Sequence, residues 1–123
     1  MNKFLLLLSI MLIRNVSAEL NFNNISVTDG LPTMVVRAIH QDSEGYMWFG
    51  TSLGLVRFDG YDIKKIYDSN GENLGDIWSI INGFDDSVLF SVTNKGIFKY
   101  KNGKIKKIIS FDEDGFELML PII

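Results

Sequence analysis

Val36-Arg37-Ala38-Ile39-His40-Gln41-Asp42-Ser43-Glu44-Gly45-Tyr46-Met47-Trp48-Phe49-Gly50-Thr51 contains two short runs of β-branched and aromatic residues parted by an acidic glycine turn. Such runs read as strands, and the turn between them as a reversal of the chain. Outward from this stretch the pattern continues. Strands are expected near Val35–Gln41, Tyr46–Thr51, Leu55–Phe58 and Tyr61–Tyr67, then near Asp76–Asn82, Val88–Val92, Ile97–Tyr100 and Lys104–Ser110. Glu44-Gly45, Asp59-Gly60, Asn70-Gly71 and Asn102-Gly103 punctuate them. Asp-Gly and Asn-Gly tolerate the positive φ of tight type I′ hairpins, so consecutive strands should pair antiparallel as a meander. No segment after Asn21 keeps an apolar period of 3.6 residues, which makes the fold class all-β.

The second four strands overlay the first. Val36-Arg37-Ala38-Ile39 matches Ile77-Trp78-Ser79-Ile80, and Trp48-Phe49 matches Leu89-Phe90, both at an offset of 41. After a one-residue insertion, Gly54-Leu55-Val56-Arg57-Phe58 matches Gly96-Ile97-Phe98-Lys99-Tyr100 at 42. Ile63-Lys64-Lys65-Ile66 recurs unchanged as Ile105-Lys106-Lys107-Ile108. Four strands per unit of about 42 residues is the spacing of a β-propeller blade. Blades stack face to face, so the weak alternation in Val35-Val36-Arg37-Ala38-Ile39 is expected to reflect burial on both sides. Two blades cannot close a ring of about four to eight, so the expected architecture is an incomplete propeller. The domains divide as an export signal at 1–18, an extension at 19–34, a first blade at 35–68, a divergent second blade at 76–110, and at 111–123 the truncated start of a further blade.

Asp29-Gly30-Leu31-Pro32, a strand ending in Gln41-Asp42, the Glu44-Gly45 turn, Trp48-Phe49-Gly50-Thr51 and Gly54-Leu55-Val56-Arg57-Phe58-Asp59-Gly60 together resemble the two-component regulator propeller repeat. The resemblance is close from Asn21 to about Tyr67. It is looser in the second unit, where Leu89 replaces the tryptophan and Ser91-Val92 replace Gly-Thr. It implies the N-terminal part of a periplasmic sensor region in a membrane-bound hybrid two-component or similar receptor, whose kinase or cyclase output lies outside this chain. Many members of that family respond to carbohydrate fragments. The implied partners are therefore a carbohydrate or other small molecule and the remaining blades, with the membrane reached only through missing C-terminal parts.

Composition limits the alternatives. Of 123 residues 46% are apolar and 22% charged, the profile of a globular chain. Met1–Ala18 has a single positive charge at Lys3 before a ten-residue apolar run, Phe4–Ile13, and ends in Val16-Ser17-Ala18. That reads as a signal peptide cleaved after Ala18, since the run is too short to span a bilayer. Periplasmic localisation follows. The net charge of −3 argues against a nucleic-acid partner. With no cysteine and one histidine, disulfides, thiolate zinc sites and multi-histidine metal sites are excluded within this chain, and no cofactor is expected.

The repeat-motif residues Trp48, Gly50, Thr51, Gly54, Leu55, Asp59 and Gly60 are read as architectural. Trp48 would wedge between blades, worth about 3 kcal/mol if fully buried, while Thr51 and Asp59 would bond turn backbone. Arg37 and Trp78 occupy equivalent positions on neighbouring blades and are the candidate ligand-binding residues, because an arginine beside an aromatic ring suits stacking on a sugar. His40 lies two residues from Asp42 but without a nucleophile. Asp42-Ser43-Glu44-Gly45, Asp68-Ser69-Asn70-Gly71 and Asp112-Glu113-Asp114-Gly115 fail as calcium loops, because position twelve falls on Thr51, Ile77 or Pro121 in place of glutamate. Lys95, Lys99, Lys101, Lys104, Lys106 and Lys107 form a block without an acid, either a solvated strand or an anion-binding patch. No catalytic signature emerges, so the chain is expected not to be an enzyme. The alternatives are the first part of an exported propeller enzyme acting on polysaccharide, and an inactive truncated remnant.

Overall fold

The computed structural model describes residues 23–112 and 115–118, together with Lys3. The expected signal segment, Lys3 apart, therefore lies outside the described residues, and among those described no helix is long and apolar enough to cross a membrane. A 3-10 turn spans Val27–Asp29. Ser26 and Asp29 form a reciprocal capping box there, each side chain accepting from the other's end of the turn. Past it, Leu31 is buried.

Nine strands follow. β1 (Val36–Gln41), β2 (Met47–Thr51), β3 (Gly54–Phe58) and β4 (Ile63–Ile66) form one antiparallel sheet in chain order. β5 (Ile77–Asn82), β6 (Val88–Val92), β7 (Gly96–Lys101), β8 (Lys104–Asp112) and β9 (Gly115–Leu118) form the second. Both sheets are open meanders, as blades of a propeller are. β8 continues through Phe111 and Asp112, and Gly115–Leu118 pairs with it antiparallel. These residues, expected at the start of a further blade, thus lie in the second sheet as its extended fourth and its fifth strand.

The repeat is present in the backbone. In each sheet the first strand carries a β-bulge at the same place, between Val36 and Ala38 in β1 and between Ile77 and Ser79 in β5. The insertion that changes the offset from 41 to 42 is the β6–β7 loop. Thr51 pairs with Gly54, whereas Val92 pairs with Gly96 across one residue more, and Asn94 takes φ 58 to make that turn. Of the three Asp-Gly and Asn-Gly pairs read as type I′ turns, only Asn102-Gly103 has positive φ at both central residues, 50 and 76. Asp59, Asn70 and Glu44 do not share the positive φ of the glycine that follows each of them.

The core lies between the sheets. Trp48, Leu55 and Ile66 of the first meet Ile77, Ile80, Val88, Phe90, Val92 and Phe98 of the second, with Leu74 from the connecting segment. Two-sided burial of β1 does not hold. Its residues alternate between half-buried and exposed, and Val35 and Ile39 are 48% and 63% exposed. The alternation runs unbroken through the bulge, and the pattern looks weak in the sequence because apolar Val35 and Ile39 occupy exposed positions.

Candidate functional site

β1 and β5, the first strands of the two sheets, lie side by side, and the two bulges set Arg37 and Trp78 at their starts. A bulge turns its extra residue out of the regular pleat. Here it brings the Arg37 guanidinium carbon 4.4 Å from the centre of the Trp78 ring. Asp76 joins both. Its Oδ1 accepts from Arg37 Nε at 2.6 Å and its Oδ2 from Trp78 Nε1 at 3.1 Å. Each bond alone is worth little at this exposure, about 1 kcal/mol or less for the ion pair. Together they fix the orientation of a tryptophan that remains 56% exposed. The charge of Arg37 is balanced by Asp76, so the cluster offers an aromatic face and hydrogen-bonding groups without net charge. Ile39 and Ile81, further along the same two strands, are also exposed.

Sequence reading singled out both members of the stacked pair but passed over Asp76. Its signal was available, since an acid two residues before a strand tryptophan lies within reach of the indole N–H. What the sequence does not contain is that Arg37, 39 residues away, shares that acid.

The repeat-motif residues lie elsewhere: Trp48, Gly50 and Leu55 at the seam between the sheets, Thr51 and Gly54 at the buried β2–β3 turn, and Asp59 and Gly60 in the exposed β3–β4 turn. Trp48 is 1% exposed. Its ring meets Tyr100 edge-on, with centroids 4.9 Å apart, and its Nε1 donates to Asp42 Oδ2 at 2.7 Å. Asp42 Oδ1 accepts from the amides of Glu44 and Tyr46. Arg57 lies 4.3 Å over the Tyr46 ring and donates to the Tyr100 hydroxyl at 3.4 Å. A polar cleft of about 100 Å³ opens beside these groups, edged by Glu44, Asp86 and Lys101.

A Cβ on Gly50 would stand 2.7 Å from Ile77 Cγ2 and 3.3 Å from Ala38 Cβ, so the absent side chain sets how closely the sheets approach. The Thr51 hydroxyl, fully buried, donates to the Gly54 carbonyl at 2.7 Å and accepts the Leu53 amide. Gly54 turns at φ 120 and Leu55 is buried beside it. Asp59 Oδ1 accepts from the amides of Tyr61 and Asp62, with Gly60 at φ 103 between. The bond from the Asp62 amide, then that from Tyr61, holds the Asp59 carboxyl below its usual pKa.

Several of the remaining acids and bases are occupied in ways that the sequence left open. His40 Nε2 bonds Asn82 Oδ1 at 2.8 Å, not Asp42. Asp68 Oδ1 accepts from the amides of Asn70 and Glu72, the same turn that Asp42 makes, so both aspartates bond their own loops. Among the described residues no three acids or histidines gather as for a metal ion. Within the lysine block, Lys99 and Lys101 converge on Asp85 at 2.5 and 3.2 Å. Ser87 donates to the other oxygen of that carboxylate. Lys99 first, and Ser87 after it, hold Asp85 well below the usual carboxylate range.

A motif of β1 and β2, their glycine turn and the Trp48-to-Thr51 run, is thus matched by a definite geometry. Residues 30–52 match the family model of the two-component regulator propeller. The matched span holds Arg37, Trp48, Gly50 and Thr51, and ends before Gly54. Among solved structures the chain is similar to the extracellular domain of a protein described as a hybrid two-component system of B. thetaiotaomicron. The TM-score is 0.66 and the identity 18%, over 80% of this chain and 14% of that one. At that identity the likeness establishes the propeller fold, and the chain spans a small part of its structural neighbour. No curated protein matches it.

Proposed function

We propose that the chain is the first part of a ligand-sensing propeller in an exported, two-component-type receptor, that it carries out no catalysis itself, and that its ligand is a carbohydrate or other uncharged small molecule. The observation that carries this reading is the half-exposed Trp78, held by Arg37 and Asp76 across two sheets. An exposed aromatic ring in a fixed orientation is a stacking surface prepared in advance of its ligand, which lowers the cost of binding. Because Arg37 belongs to β1 and Asp76 and Trp78 to the start of the second sheet, a molecule bound there touches both. Such a ligand can favour one relative placement of the sheets over another, and this differential affinity is what a sensor requires. The repeat match at 30–52 and the extracellular neighbour support the receptor context.

Calorimetric titration of the protein with a panel of neutral and uronate-bearing oligosaccharides tests the reading. A neutral member should bind saturably, and Trp78→Ala should weaken it about tenfold, the loss of a stacking contact, with little change in melting temperature. Binding indifferent to both Trp78→Ala and Arg37→Ala, or no saturable heat from any member, contradicts it.

A further inference from the structure

Of the six lysines in the acid-free block, Lys95 and Lys107 make no ion pair among the described residues, and both line one cavity. It measures about 430 Å³, the scale of small-molecule pockets. It lies on the side of the second sheet that faces the first, beneath the segment joining β4 to β5. Leu74 and Phe98, both buried, and the half-buried Ile105 give it an apolar wall.

Both lysines border the cavity, and their ammonium groups have incomplete shells. Lys95 Nζ donates to the Leu74 carbonyl at 2.9 Å, which uses one of its three hydrogens. Lys107 Nζ lies 5.4 Å from the centre of the Phe98 ring and makes no ion pair among the described residues. The single acid of the lining, Asp68, is engaged by two amides of its own loop. Two cations facing one such carboxylate leave positive charge in excess over an apolar surface.

The geometry points to a binding site for an amphipathic carboxylate, with its acid group between Lys95 and Lys107 and its hydrocarbon body against Leu74, Phe98 and Ile105. The site is separate from the Arg37–Trp78 cluster and does not depend on the function assigned to that cluster. An ammonium–carboxylate bond in a partly enclosed site is strong, and the apolar body adds the hydrophobic term that a free inorganic anion lacks.

Decanoate is the probe, with acetate and 1-decanol as controls that carry the charge or the chain alone. Titration of the protein should give one saturable decanoate site, at least about tenfold tighter than either control and weakened by added salt. Lys107→Met should weaken decanoate about tenfold. Lys95→Arg, which keeps the charge and the bond to Leu74, should retain affinity, while Lys104→Met, outside the cavity, should change nothing. Melting curves of each variant separate loss of binding from loss of fold. Decanoate that binds no more tightly than decanol, is unaffected by salt, or is unaffected by Lys107→Met overturns the proposal, as does the absence of saturable binding.

Discussion

Where the first sheet places Trp48, the second places Leu89, and the polar groups around the two positions differ accordingly. In the first sheet the indole N–H is buried and donates to Asp42. In the second, the residue at the position of Asp42 is Gly83, and Leu89 needs no acceptor. Arg57, next to Trp48 in the β2–β3 register, stacks on Tyr46. Its counterpart Lys99, next to Leu89, is neutralised by Asp85. The two backbones correspond in the bulge of the first strand, the meander and the left-handed residue of the first hairpin, Gly45 in one and Asp86 in the other. A blade therefore specifies strand geometry tightly and side-chain chemistry loosely, provided that each buried donor brings its own acceptor.

The largest effect expected from this contrast is at Trp48. Trp48→Ala empties a buried volume between the sheets and removes the donor to Asp42 Oδ2, which should cost about 3 to 5 kcal/mol. Leu89→Ala, at a half-exposed position, should cost about 1 kcal/mol or less. Urea titration of both variants checks the pair, and equal losses would break the distinction between a seam residue and an outward one.

Thr51→Val gives the first sheet the residue that the second has at Val92. The hydroxyl's bond to Gly54 closes a shorter loop than that between β6 and β7. Its removal from a buried site should cost about 1 to 3 kcal/mol, read as a lower urea midpoint at unchanged slope. No loss would mean that the loop length alone makes the turn.

A smaller effect separates the acids. Asp85 and Asp59 titrate below their ordinary value, so the unfolded chain takes up their protons more readily than the folded one. Their contribution is complete above about pH 4, the range of an unperturbed carboxylate, and is lost as pH falls through the folded values. Stability measured from pH 7 down to pH 3 should drop, and Asp85→Asn should flatten part of the drop. Because Asp85 is a third exposed, solvent screening keeps the change modest. A profile unaffected by Asp85→Asn would remove the Lys99 pair from the account.

The strands, their order and the repeat were legible because hydrophobic runs and glycine turns act locally. Eight of the nine strands coincide with runs that the sequence marks, within a residue or two at most ends. The unmarked one is β9, which begins at Gly115 of the Asp114-Gly115 pair, a segment that the repeat spacing assigns to the start of a further blade. The bulges were not legible, since Val35-Val36-Arg37-Ala38-Ile39 can be read equally well as a strand buried on both faces. Arg37 and Trp78 could be named as a pair from repeat equivalence, but Asp76 and the Trp48–Asp42 bond depend on side-chain orientation. The lysine block shows the same limit. Its six members look alike in the chain, yet two are bound to Asp85 and two line a cavity, a division made by strand alternation and by the path of the 68–74 segment.

The central claim is that the two sheets pack directly, as neighbouring blades, through the space left by Gly50. A double-mutant cycle of Gly50→Ala and Ile77→Ala tests it most directly, because a Cβ on Gly50 would meet Ile77 Cγ2. Gly50→Ala should be costly when Ile77 is intact and cheaper once its side chain is truncated. The expected coupling is about 1 kcal/mol or more. Losses that add to within about 0.5 kcal/mol would mean that the two sheets do not meet there, and would contradict the account.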